Sequence, residues 1–263
     1  MSDVKRRRLD SAIAAVQQRH GSQALRRGED MAQQPLIPHI STGFAALDAI
    51  TGCQGIPLGA VTLLSGRTTS GKLTVAYKLL ANAQRDFYGH TAHTVALIDL
   101  SRTADPDYMA RCGIDLDAML VGRPQAGPEA VYLLGDLLQT RQLRAVVVDS
   151  LADLAADRGS MAALHAALGK LQQRLRAAGA ALIVLDDPQA PWLRWLNLDN
   201  SSKVRWCAAL HIEMQRERWL RQGSAMVGYR SQARLLKSRW VYGIRSATVE
   251  IVFNGTVRAQ ETW

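Results

Sequence analysis

Gly66-Arg67-Thr68-Thr69-Ser70-Gly71-Lys72-Leu73-Thr74 constrains the fold of this chain more than any other stretch. Before it, Val61-Thr62-Leu63-Leu64 has the make-up of a buried strand. After it, Val75-Ala76-Tyr77-Lys78-Leu79-Leu80 reads as a helix. A strand that runs through a glycine-bounded loop straight into a helix is the setting in which such a loop cradles phosphate. Successive backbone N–H groups and the first helical turn present positive partial charge, and Lys72 adds a full one. Gly66, Ser70, Gly71 and Lys72 are therefore candidate phosphate-binding residues. One position departs from the pattern: where Ser or Thr would hold Mg²⁺ stands Leu73, with Thr74 one place late. The alternative is a plain turn between strand and helix.

The alternation continues. Thr94-Val95-Ala96-Leu97-Ile98-Asp99, Leu143-Arg144-Ala145-Val146-Val147-Val148-Asp149-Ser150 and Ala181-Leu182-Ile183-Val184-Leu185 are short apolar runs ending in or followed by acids. Such strands suit a sheet covered on both faces. Between them lie a helix holding Tyr108 to Cys112, another over about Glu129–Thr140, and a third over Met161–Ala178. The third has Leu164, Leu168, Leu171 and Leu175 on one face. Together they predict an α/β fold with a mostly parallel central sheet and helices on both faces. Further on the period changes. Ala208–Met214, Gln232–Arg239 and Thr248–Phe253 read as antiparallel strands extending the same sheet. Ser41 or Thr42 is the expected cap of a helix around Phe44 to Asp48.

Lys5–Arg19 reads as an amphipathic helix with Leu9, Ile13 and Val16 on one stripe, and Gly21 as its terminator. Three apolar residues are too few to hold so short a helix in isolation, so it is expected to dock on its own domain or on a neighbouring chain. Residues 28–38, with Gly28, Pro35 and Pro38, read as a connector. The expected division is a helix and connector over 1–38 and a core domain over 39–263.

At 263 residues and 48% apolar content the chain can bury a large core. No apolar run approaches the roughly 18–20 residues of a membrane span, and the basic N-terminus lacks an apolar signal core. A cytosolic protein is expected. Cys53, Cys112 and Cys207 lack metal-site spacing and read as ordinary thiols, so no metal site is expected. The net charge of +9 favours polyanions or an acidic partner. From Trp192 to Arg245 there are eleven Lys or Arg residues, among them Arg194, Lys203 and Arg205, facing only Asp199, Glu213 and Glu217. All six tryptophans lie beyond residue 190, including Trp192 and Trp195. Basic residues interleaved with aromatics suit a nucleic-acid surface. A solvated sheet face with Trp in the core and at an interface fits the same pattern.

Ligands of a parallel sheet sit at its carboxyl strand ends. Asp149 after Val146-Val147-Val148 has the form of the second phosphate-loop signature, in which a carboxylate orients the Mg²⁺ shell. Such an acid can equally cap a helix. Considered together, the segments Ile40-Ser41-Thr42-Gly43 with Leu47-Asp48, Gly55-Ile56-Pro57-Leu58-Gly59, Ser70-Gly71-Lys72, Asp105-Pro106 with Tyr108, and Val146-Val147-Val148-Asp149-Ser150-Leu151-Ala152 resemble the bacterial RecA recombinase family. The resemblance runs from about residue 5 to residue 257.

That resemblance implies a RecA-like core with an N-terminal helix that packs on a neighbouring protomer. It implies that Tyr108 stacks on adenine and that Asp105 contacts its amino group, a half-buried aromatic in a vestigial pocket being the alternative for Tyr108. The departures are as informative. Two residues after Asp99, where the family carries the Glu that activates water, stands Ser101, which at its ordinary pKa takes no proton at neutral pH. The family's γ-phosphate-sensing Gln falls near Asp187, whose charge repels phosphate. The first DNA-binding loop shrinks to Asp153–Ser160. The second is replaced by Pro188-Gln189-Ala190-Pro191-Trp192-Leu193-Arg194-Trp195, and no DNA-gathering domain is expected after Val257.

ATP binding with weak or absent Mg²⁺ and without appreciable turnover follows. The pattern is most similar to the ImuA type of RecA paralogue, an accessory of damage-induced translesion synthesis. That type implies RecA or translesion polymerase components such as ImuB as partners, contacted through Leu9, Ile13 and Val16, with self-association through the same helix as the other reading. Trp192, Arg194, Trp195, Lys203 and Arg205 would face a partner or single-stranded DNA. The alternatives are a working DNA-dependent ATPase in which Thr74 or Asp187 takes a new role, and a plain DNA-binding module.

Overall fold

The computed structural model describes residues 3–20, 37–85, 89–156, 158–187, 202–254 and 256–259. The chain divides into two compact units, Met1–Ile37 and Pro38–Trp263. In the first, helix α1 (Asp3–His20) exposes Leu9 and Val16 and leaves Ile13 half-buried. Gly21 and most of the expected connector lie outside the described residues.

In the second unit the described residues form a sheet of nine strands. Its parallel part comprises β3 (Val61–Ser65), β4 (Thr94–Asp99), β5 (Met119–Gly122), β6 (Leu143–Asp149), β7 (Ala181–Asp186) and the first half of β8 (Leu210–Gln222), in the order β5-β4-β6-β7-β3-β8. The antiparallel strands β9 (Ala225–Ser238), β10 (Arg245–Asn254) and β11 (Thr256–Ala259) continue from β8. A two-residue pair, β1 (His39–Ile40) and β2 (Ile56–Pro57), stands apart.

Alternate residues of the central strands serve two cores, which is why these runs are mostly apolar. Val95 and Leu97 of β4 join Val147 and Ile183 in packing on helix α3 (Lys72–Gln84), through Val75, Leu79 and Leu80. Ala96 and Ile98 face the other way, with Val146, Val148 and Leu182, onto α5 (Gly127–Gln139) and α7 (Arg158–Ala178). On α7, Leu164, Leu168, Leu171 and Leu175 are buried, as their helical spacing predicts.

The structure corrects three sequence expectations. Neither Ser41 nor Thr42 caps helix α2 (Ala45–Thr51), whose N-cap is Phe44 without a side-chain bond. Their hydroxyls instead donate to the Asp48 carboxylate at 2.6 Å each, joined by the Thr42 N–H at 3.0 Å. An acid in the first turn draws the hydroxyls down to it. Second, the stretch expected as a shortened loop after Asp149 is largely helical among its described residues: α6 (Leu151–Ala156) is followed by the start of α7. Third, β5 was not expected. It is a four-residue edge strand whose apolar run, Met119-Leu120-Val121, is too short to stand out in the sequence and leaves Leu120 and Val121 exposed.

Candidate functional site

The loop from Gly66 to Gly71 closes over the carboxyl end of β3 and enters α3 at Lys72. Two glycines are required there. Gly71 has φ +93°, and a Cβ on it would lie 2.8 Å from Ile251 Cδ1. A Cβ on Gly66 would lie 2.5 Å from the Met214 carbonyl oxygen and from Ser70 Oγ. Thr69 takes φ +65° without being glycine, a conformation of the kind concentrated at functional loops. No side chain caps α3, so its first-turn N–H groups face the loop.

Cavities flank the loop on two sides and share Thr68, Thr69 and Ser70. One, of about 430 Å³, is lined also by Lys72, Thr74, Ser101, Tyr108, Asp149, Asp187 and Tyr229. The other, of about 500 Å³, lies between Gly66–Ser70 and Glu213–Arg216 of β8. Ser70 Oγ is buried and has no hydrogen-bond partner. An orphaned buried hydroxyl in a glycine-bounded loop is what a missing acceptor leaves behind, and the cradle fits a phosphate group.

Lys72 is buried and fully engaged. Its Nζ donates to the Gly66 carbonyl at 2.7 Å, to the Asp186 carbonyl at 3.3 Å and, in an ion pair, to the Asp187 carboxylate. Asp187 thus neutralises the cation that a phosphate would meet. Asp149 ends β6 in the same cavity, in register with Asp99 of β4. Burial raises the Asp149 pKa, and the charge of Lys72 only partly offsets this. Ser101 Oγ lies 3.3 Å from an oxygen of Asp149 and 3.3 Å from one of Asp99, and 2.8 Å from Thr103 Oγ1. A hydroxyl with one hydrogen to offer sits where two acids already compete for it.

Asp99 itself is structural. It accepts from Thr103 N at 3.0 Å, from Ala104 N at 3.3 Å and from Arg123 Nε at 2.9 Å.

The Mg²⁺ shell is less well provided for. Leu73 offers no oxygen. The Thr74 hydroxyl, buried and one residue late, is held by Tyr108 Oη at 2.5 Å and Tyr229 Oη at 3.3 Å. Burial raises the pKa of both phenols and keeps this cluster neutral. Among the described residues no group of three or more His, Cys, Asp or Glu side chains stands ready for a metal. The residues fit phosphate and do not fit a Mg²⁺ complex of the usual kind.

Of the residues singled out in the sequence, the structure brings Ser70, Gly71, Lys72, Thr74, Tyr108 and Asp149 to the 430 Å³ cavity and Gly66 to the other. Asp105 lines neither. It N-caps α4 (Pro106–Arg111), its Oδ1 accepting from Asp107 N at 2.9 Å and Tyr108 N at 3.3 Å. Arg205, on α8 (Ser202–Cys207), donates to the buried Asp186 at 2.8 Å and is an internal ion-pair partner. Trp192, Arg194 and Trp195 lie outside the described residues. Lys203 belongs to α8, its side chain outside that description. Sequence reasoning missed Tyr229 and Arg216 at the loop, because a long hairpin of antiparallel strands carries them there. Their distance along the chain from Gly66 leaves no local signal.

A mostly parallel sheet whose strand β3 passes through a glycine-bounded loop into α3, with a carboxylate ending β6 beside the loop, defines a phosphate-loop α/β protein. Residues 7–183 match the RecA N-terminal domain. The chain belongs to the RecA family. It is similar to Protein RecA of Paenarthrobacter aurescens (strain TC1), with 30% identity over 261 residues that cover 93% of this chain and 74% of that protein. It is similar also to Protein RecA of Arthrobacter sp. (strain FB24), with 29% identity over 265 residues covering 95% and 74%. Protein RecA of Acidothermus cellulolyticus (strain ATCC 43068 / DSM 8971 / 11B) shares 28% over 262 residues, covering 94% and 74%.

Proposed function

We propose that this chain is a RecA-family DNA-repair protein that binds ATP or ADP without appreciable turnover. It acts as a non-catalytic accessory in the response to DNA damage and in translesion synthesis, in the manner of ImuA. The observation that carries this reading is the ion pair between Lys72 and Asp187 inside the loop. A nucleotide must displace it, and once bound finds Ser101 where a water-activating carboxylate is needed. Gly66, Ser70, Gly71 and Lys72 cradle the phosphates, Tyr108 lies against the base, and Asp149 supplies the acid of the site. Asp105, capping the helix that carries Tyr108, positions that ring.

Partners are RecA or translesion polymerase components of the ImuB kind, engaged through Leu9, Ile13 and Val16 of α1. Exposure of Leu9 and Val16 supports this. So does their alignment on one helical stripe. Single-stranded DNA or a partner meets the basic, tryptophan-containing region, where Trp206 is 80% exposed.

Phosphate release measured with and without single-stranded DNA tests the enzymatic half. The expected rate is indistinguishable from that of Lys72→Ala. DNA-stimulated release that Lys72→Ala abolishes would establish a working ATPase instead. Deleting the first 27 residues tests the docking half: capture of RecA by the shortened chain at undiminished yield would sink it.

A further inference from the structure

Arg216 meets the loop from the side opposite Lys72. It lines the 500 Å³ cavity with Gly66–Ser70, and its Nη1 donates to Thr69 Oγ1 at 2.7 Å. Its guanidinium carbon lies over the Trp219 ring, 4.4 Å from the centroid, a cation–π contact that restrains the side chain. Trp219 is braced edge-on by Tyr229 at 5.7 Å, and Tyr229 in turn reaches Thr74 of α3. Loop, helix and hairpin are thus tied into one assembly that holds a planar cation at the crown of the loop. Glu213, the acid lining that cavity, stands in register with Arg234 of β9.

On the other side, all three N–H groups of Lys72 have acceptors supplied by the protein, one of them a carboxylate. Ser70, on the wall of both cavities, is 2% exposed, and its buried Oγ has no hydrogen-bond partner.

We infer that Arg216 is the principal phosphate-binding cation of this site. The terminal phosphate of a bound nucleotide sits at Thr69 and Ser70, where the Arg216 guanidinium offers two N–H donors to two phosphate oxygens. The Ser70 hydroxyl donates a third bond. Lys72 contributes the smaller share, because its pair with Asp187 must first be broken. This inference rests on the reading that the loop binds nucleotide, and it reverses the usual ranking of the two cations.

Calorimetric titration of the full chain with ADP and with ATP tests it, using Arg216→Gln, Lys72→Gln and, as a control for net charge, Lys170→Gln on the exposed face of α7. Thermal melts confirm that each variant is folded. Gln is long enough to keep the contact with Trp219 while removing the charge. The expected result is at least a tenfold loss of affinity for Arg216→Gln, less than threefold for Lys72→Gln, and no change for Lys170→Gln. A larger loss from Lys72→Gln, or an equal loss from Lys170→Gln, overturns the role of Arg216 and leaves the nucleotide reading standing. Absence of binding by the unaltered chain overturns both.

Discussion

Three acceptors surround Lys72 Nζ, and the Asp187 carboxylate is the one of them that an incoming phosphate must compete with. Asp187 is nearly half exposed, so it can turn away into solvent, and removing its charge should lower the barrier to binding. Asp187→Asn is expected to raise nucleotide affinity about tenfold, the equivalent of ~1.4 kcal/mol, read by titration calorimetry. Asp149 makes a separate demand. Its pKa is raised, chiefly by burial, so the folded state holds its proton to higher pH than the unfolded chain does. Its stabilising share is complete below the unfolded pKa and is lost as pH rises through the folded one. Asp149→Asn should therefore raise the melting temperature at pH 7, with the difference from the unaltered chain shrinking as pH falls through the raised folded pKa and closed by about pH 4, the ordinary carboxylate range.

At the scale of elements, the β8–β9 hairpin shapes the site as much as the loop does. Its inner half, with Ile212, Met214, Ala233 and Leu235, is core. Its outer half leaves the core and carries Arg216 and Trp219 to the loop. Close approach of β9 to β10 makes this possible: a Cβ on Gly228 would lie 2.2 Å from the Ile251 carbonyl oxygen. Gly228→Ala is expected to cost about 2 kcal/mol or more through forced backbone shifts, measured by urea denaturation. It should loosen the Tyr229 contact with Thr74 and so weaken nucleotide binding.

The central strands were legible because a strand buried on both faces must be apolar at most of its positions. Elements whose burial is partial were not. β5 exposes half its residues, and the outer parts of β8 and β9 are charged. The segment after Asp149 has the composition of a helix, which the resemblance to a loop-bearing family obscured.

For the whole molecule, charge is the governing quantity. With Arg205 committed to Asp186 and Arg230 paired with Glu250, fewer of the basic residues face solvent than the sequence suggests. Affinity for single-stranded DNA, read by fluorescence anisotropy, is expected to fall with salt at a slope of log K against log salt of about −2 to −4. That slope corresponds to roughly three to six phosphate contacts. A flat salt dependence would assign the basic region to a protein partner. No helix among the described residues is long and apolar enough to cross a membrane.

Sequence by itself determined the sheet, its mostly parallel order and the place of the phosphate loop. Each follows from local facts: apolar strands of period too short for helices, glycines where the backbone must turn, and acids at strand ends. The state of the loop was decided only by tertiary structure. Whether Lys72 is free or paired depends on Asp187, 115 residues away, and whether a second cation reaches the loop depends on the register of β8 against β3. Pairings at that separation are fixed by how strands lie side by side, and a linear pattern carries no record of them.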